Sequence, residues 1–224
     1  LITIFIGLLL AETVIRLKNS DQKNYNIEMW RYARELKRIS TDPNLGHDHR
    51  TNRTAKLQGV EIRLNRFGMR GPEPDLTDET KKRILILGSS NTLGWGVSEN
   101  ETTAGLLQAT LADRAQVFNA GIGNYNTLRY INLLDQKLLA LKPDVVLVQY
   151  FINDAEILPP GRTNFILRNS QLAVLLYHAV QKFKSASKGI LNLVKYYEEV
   201  YSPSNKGLQD MKSSFDRLDQ LSRE

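Results

Sequence analysis

The stretch Arg83–Val97 reads RILILGSSNTLGWGV, and its first half decides the fold. Four consecutive aliphatics, Ile84 to Leu87, suit a strand covered on both faces, as in parallel sheets. The run stops at Gly88, and small residues follow before Gly94 and Gly96. This is a tight turn leading from a strand to a helix, and it lifts Ser90 to the end of the strand. Working outward, Thr102 to Arg114 carries Ala104, Leu107 and Leu111 on one helical face. Gln116 to Asn119 is a second short strand, followed by Asn119-Ala120-Gly121-Ile122-Gly123-Asn124. Thr127 to Leu141 places Leu128, Ile131, Leu134, Leu138 and Leu141 on one stripe. Pro143-Asp144 breaks that helix, and Val145 to Phe151 is a third strand that runs into Asn153-Asp154. Strand, helix, strand, helix, strand predicts parallel pairing. All three motifs then fall on one edge, where open α/β sheets build their sites.

The flanks are less regular. Leu1 to Ala11 is almost wholly apolar, and Val14, Ile15 and Leu17 extend it. About 17 residues span roughly 26 Å, a little under a ~30 Å hydrocarbon core. No small-x-small cleavage site follows, so a transmembrane anchor over residues 1–17 is expected rather than a signal peptide, with a plain buried helix as the other alternative. Arg16, Lys18 and Lys23 follow the run and favour a cytoplasmic domain by charge alone. Residues 18–80 read as a juxtamembrane helix, Glu28 to Ile39, then a turn-rich linker with a short strand at Val60 to Leu64. Residues 81–224 form the main domain. Beyond Asp154, Pro159-Pro160-Gly161 makes a loop, and Ser170 caps a helix bearing Leu172, Leu175, Leu176 and Val180. Helical stretches follow at about Lys188 to Tyr201 and from Leu208 to Leu221. The last has no cap, so a piece of a longer protein is expected, with a further strand after Glu224.

Composition narrows the function. The chain has no cysteine, which excludes thiolate chemistry and disulfides. Its 30 basic and 24 acidic residues leave a modest charge of +6. The basic residues are scattered rather than stepped with aromatics, so no nucleic-acid partner is expected. A phosphate-binding loop is a rival for the glycine-rich turns. It lacks Gly-Lys-Ser/Thr, and Asn126 stands where a dinucleotide fingerprint needs its third glycine. A nucleotide-binding module, with Asp154 mimicking a ribose-binding acid, is the weaker reading. Ser90 instead suits a nucleophile whose own N–H faces an oxyanion, and the Asn153 amide suits a second donor.

Gly88-Ser89-Ser90, Asn119 to Asn124 and Asn153-Asp154 together resemble the first three blocks of the SGNH/GDSL hydrolase family. Leu64-Asn-Arg-Phe-Gly-Met-Arg-Gly-Pro-Glu73 is similar to the lead-in of its membrane-anchored members. The likeness covers Leu64 to Asp154. It implies a three-layer, flavodoxin-like α/β fold and a serine esterase or acyltransferase acting on acylated carbohydrate or lipid. It implies Ser90 as nucleophile. The oxyanion hole would combine the Ser90 N–H, an N–H of the Gly123/Asn124 turn and Asn153. No cofactor or metal is implied. An extracytoplasmic domain is.

Three departures stand out. Ser89 replaces the family's aspartate, Asn124 takes its second-block glycine position, and Phe151 stands where its third block begins with glycine. An inactive, ligand- or partner-binding relative is therefore the alternative. The family's Asp-x-x-His is absent. His47 and His49 read as polar surface residues of the linker, and His178 as structural. The chain as it stands is expected not to turn over esters, its acid–base pair lying beyond Glu224.

Overall fold

The structure is a computed structural model, and it describes residues 1–161, 164–186 and 193–223. It begins with helices α1 (Ile2–Asp21) and α2 (Tyr25–Glu35). The Asn24 side chain caps α2 by accepting from the N–H groups of Asn26 and Ile27. Strand β1 (Lys37–Ile39) pairs antiparallel with β2 (His47–His49). Strands β3 (Arg53–Leu57) and β4 (Val60–Leu64) form a hairpin turned by Gln58 and Gly59, both at positive φ. Ala55, Leu57, Ile62 and Leu64 point from it to a small core with Tyr32, Leu36 and Leu93. The expected linker is therefore largely built structure.

The main sheet holds β5 (Lys82–Gly88), β6 (Ala115–Asn119) and β7 (Val145–Gln149) in the order β6-β5-β7, all parallel. Between β5 and β6 lie α3 (Ser90–Leu93) and α4 (Thr103–Leu111), and α5 (Thr127–Lys137) precedes β7. The mixed α/β class and the parallel sheet agree with the sequence. Leu85, Leu87 and Phe118 pack with Tyr130, Ile131 and Leu134 of α5 in the principal core. β7 differs from the fully buried strand expected. Val145 and Leu147 stay 42% and 40% exposed, because no described element covers that face.

Helices α6 (Phe165–Asn169), α7 (Gln171–Ala186), α8 (Leu193–Val200) and α9 (Lys206–Leu221) complete the described chain. Residues 188–192 of the expected helix from Lys188 lie outside the described residues. Arg217 of α9 forms a two-pronged ion pair with Asp135 of α5, at 2.9 and 3.0 Å.

The N-terminal expectation needs correction. No helix among the described residues is long and apolar enough to cross a membrane, so the single-pass membrane assignment, and with it the extracytoplasmic placement, is not supported. The apolar run is too short, since Glu12, Arg16 and Lys18 all fall within α1. Two of those charges, Glu12 and Arg16, are engaged with the domain. Glu12 accepts from Ser170 Oγ and from the N–H groups of Gln171 and Leu172, capping α7 from another helix. Arg16 donates to the Asn169 carbonyl at 2.6 Å.

Candidate active site

β5 is the central strand, and its last residue, Gly88, lies beside Gln149 of β7. Ser89 is buried and makes no capping bond, so it is not a simple helix cap. Ser90 opens α3 and is half-buried. Its carbonyl accepts from the N–H groups of Gly94 and Trp95.

The serine turn is fixed from three directions. From β6, Asn119 Nδ2 donates to the Thr92 carbonyl at 2.8 Å. From β7, Gln149 Oε1 accepts the Thr92 hydroxyl at 3.0 Å. From the Phe67–Pro72 turn, the buried Arg70 guanidinium donates to the carbonyls of Leu93 and Gly94 at 2.8 and 2.7 Å. Gly121 allows the close approach of the second motif. A Cβ there would lie 2.2 Å from the Leu93 nitrogen, which is backbone and cannot yield. A rigid loop of this kind holds a reacting group without cost at the moment of reaction.

The second motif places its two residues differently. The Gly123 N–H donates to the Tyr32 hydroxyl at 3.0 Å and is not free for an oxyanion. Asn124 is exposed with φ 63, the left-handed conformation for which glycine is the usual residue and asparagine a tolerated one. Its N–H is the remaining donor of the turn.

Asn153 lies after β7 in a 3-10 turn, Ile152–Ala155. Its Oδ1 is buried without a hydrogen-bond partner. An unpaired buried acceptor costs about 1–3 kcal/mol, so a ligand donor would relieve it. Asp154, which sequence reasoning weighed only as a ribose mimic, is 1% exposed. One carboxylate oxygen accepts from Tyr130 Oη at 2.9 Å and from the Phe151 N–H at 3.1 Å. The other has no partner. Burial raises this carboxyl to about 6.

His47 and His49 are not surface residues. They are 8% and 1% exposed, inside a relay that the sequence hid. Tyr32 Oη donates to His49 Nε2 at 2.6 Å, and His49 Nδ1–H donates to the Gly68 carbonyl at 2.7 Å. That carbonyl can only accept, which fixes the tautomer. His47 Nε2–H donates to the Gly123 carbonyl at 3.1 Å, beside Lys37 Nζ at 2.5 Å. Burial is the main cause that lowers His47 to about 2 and His49 to about 4. Both histidines therefore stand neutral and occupied, and neither hydrogen-bonds Ser90. His178 lies on α7 edge-on to Tyr177. Among the described residues no cluster of three or more His, Cys, Asp or Glu could hold a metal ion. No protein-family model matches the chain, and no curated protein matches it.

Proposed function

We propose that this chain carries the serine half of an SGNH/GDSL-type acyl-ester hydrolase or acyltransferase, in the flavodoxin-like fold of that family. The observation that carries the reading is the shared sheet edge. Ser90 follows β5, Asn153 follows the adjacent parallel strand β7, and the Asn124 turn follows β6 on the other side. Ser90 Oγ attacks the acyl carbonyl as its proton passes to a general base, the alcohol leaves with that proton, and water or an acceptor hydroxyl then takes the acyl group from Ser90. The Ser90 N–H, the Asn124 N–H and the Asn153 amide stabilise the oxyanion, where one such donor is worth about 3–4 kcal/mol. Acylated carbohydrates or lipids are the substrate class. The attack needs a general base, whose loss in a serine triad costs on the order of a million-fold.

One observation favours a binding relative without turnover. Each histidine nearest the turn is already committed to a backbone carbonyl. A fluorophosphonate probe on the full-length protein separates the two. Labelling that disappears in Ser90→Ala is the expected result. Labelling that survives the substitution, or none in a protein with an intact unfolding transition, would sink the nucleophile assignment.

A further inference from the structure

A cleft of about 500 Å³ opens between α2, β1, the Asn124 turn and the Pro159–Gly161 loop. Lys37, Arg38, His47, Arg129 and Arg168 line it, and among the described residues no aspartate or glutamate does. Arg38 reaches Asp48 at 3.5 Å, and Asp48 also takes Lys137. Among the described residues, no carboxylate lies within ion-pair distance of Lys37, Arg129 or Arg168. Their contacts are to carbonyls instead, and Lys37 Nζ also lies 4.3 Å from the centre of the Tyr32 ring. Lys37 serves Gly123, Arg129 serves Asn124 and Pro159, and Arg168 serves Ala33 and Arg34.

Such an arrangement is costly without a counter-ion. Lys37 and Arg129 are 8% and 4% exposed, and carbonyl dipoles offset only part of the cost of desolvating a charge that has no opposite charge beside it. Burial first, then Arg129, lowers the Lys37 ammonium to about 7. Donors remain to spare. An ammonium has three and a guanidinium five, more than the carbonyls consume. Apart from Asn124, the rest of the lining is largely apolar or aromatic, with Met29, Trp30, Ile39 and Tyr177. Size and mixture are those of a small-molecule site.

We propose that this cleft binds an oxyanion, carboxylate or phosphate, carried on a nonpolar body. The anion sits among Lys37, Arg129 and Arg168, and the nonpolar part lies against Trp30 and Ile39. Binding here requires nothing of Ser90, so a failed serine assignment leaves it standing.

Thermal unfolding of the full chain tests it, at pH 7 and constant ionic strength in chloride. The probes are inorganic phosphate, hexyl phosphate, hexanoate and, as the neutral control, hexanol. A saturable rise in Tm is expected with at least one anion and none with hexanol. Lys37→Met and Arg168→Gln should each weaken that response at least tenfold. Lys37→Met should leave the anion-free Tm unchanged or higher, because His47 still holds the Gly123 carbonyl. Arg168 is only half-buried, so its variant keeps the test open if Lys37→Met misfolds. A hexyl phosphate response above that of inorganic phosphate supports the nonpolar body, and equal responses would overturn that part and leave a site for a free oxyanion. No saturable shift with any anion, or a shift that both folded variants retain, would overturn the site.

Discussion

At the scale of single residues, the edge of the sheet holds its serine turn stiffly and buries a carboxyl at the end of β7. That residue is Asp154. Its carboxyl is raised from 3.8 to about 6 mainly by burial, so the folded state holds a proton that the unfolded state has released. The stability this proton brings is full below pH 3.8 and is lost as pH rises through 6. Asp154→Asn removes the charge but keeps an oxygen for Tyr130 and the Phe151 N–H. We expect the variant to be more stable than the parent by about 2 kcal/mol at pH 8 and by little at pH 4. Urea unfolding at the two pH values checks this, and an equal effect at both would contradict it. The motif residues themselves were readable from sequence, because a strand end, small residues and an amide are local signals. Tyr32, Arg70 and the two linker histidines were not. Each acts on a partner 17 or more positions away, such as His49 on Tyr32 and Arg70 on Leu93. Polar, turn-rich neighbours gave His47 and His49 the look of surface residues.

At the scale of elements, the three parallel strands and α5 were legible because each carries one unbroken apolar pattern. The β3–β4 hairpin was half legible. Only Val60 to Leu64 was read as a strand, although alternation in Arg53–Leu57 and the Gln58-Gly59 turn would have given its mate. The expected helix from Glu28 to Ile39 ends at Glu35 instead, and β1 takes its last residues. Helix α1 was misleading for a different reason, since the docking of Glu12 and Arg16 on α7 and its lead-in is a contact more than 150 positions away that an apolar run does not show. Glu12 touches the start of α7, where the usual cap would come from within the helix. Ser170 does contribute, donating its hydroxyl to Glu12 and accepting from the Ala173 N–H. Glu12→Ala leaves the Gln171 and Leu172 N–H groups without this acceptor. Loss of a cap costs about 0.5–2 kcal/mol. The loss should be local. Hydrogen exchange at Gln171 to Ala173 is expected to accelerate, with the β5 amides of Leu85 to Leu87 unchanged. Equal acceleration in both would mean that the α1–α7 contact is part of the global unfolding unit.

At the scale of the whole molecule, the buried relay beneath the Asn124 turn sets how the fold meets acid. His47 and His49 are lowered from 6.5 to about 2 and about 4, with burial the largest cause of each. As pH falls below 6.5, the unfolded chain takes up these two protons and the folded chain refuses them. Stability present above pH 6.5 is therefore lost, at about 1.4 kcal/mol per pH unit for each histidine. Between pH 6 and 4 Asp154 works in the opposite sense and returns about one of those two protons. The net expectation for these three groups is a loss of roughly 1.4 kcal/mol per pH unit across that window. The chain's excess of basic residues, +6 at neutrality, adds repulsion as more protons bind. Urea unfolding at pH 6, 5 and 4 measures the slope. His49→Gln should flatten it by about one proton, and Asp154→Asn should steepen it by about one. Because the two substitutions lie in separate parts of the core, the double variant should restore the parent slope. A parent slope that neither substitution changes would mean that acid acts on surface carboxylates, and that the Tyr32–His49 relay does not hold the fold together.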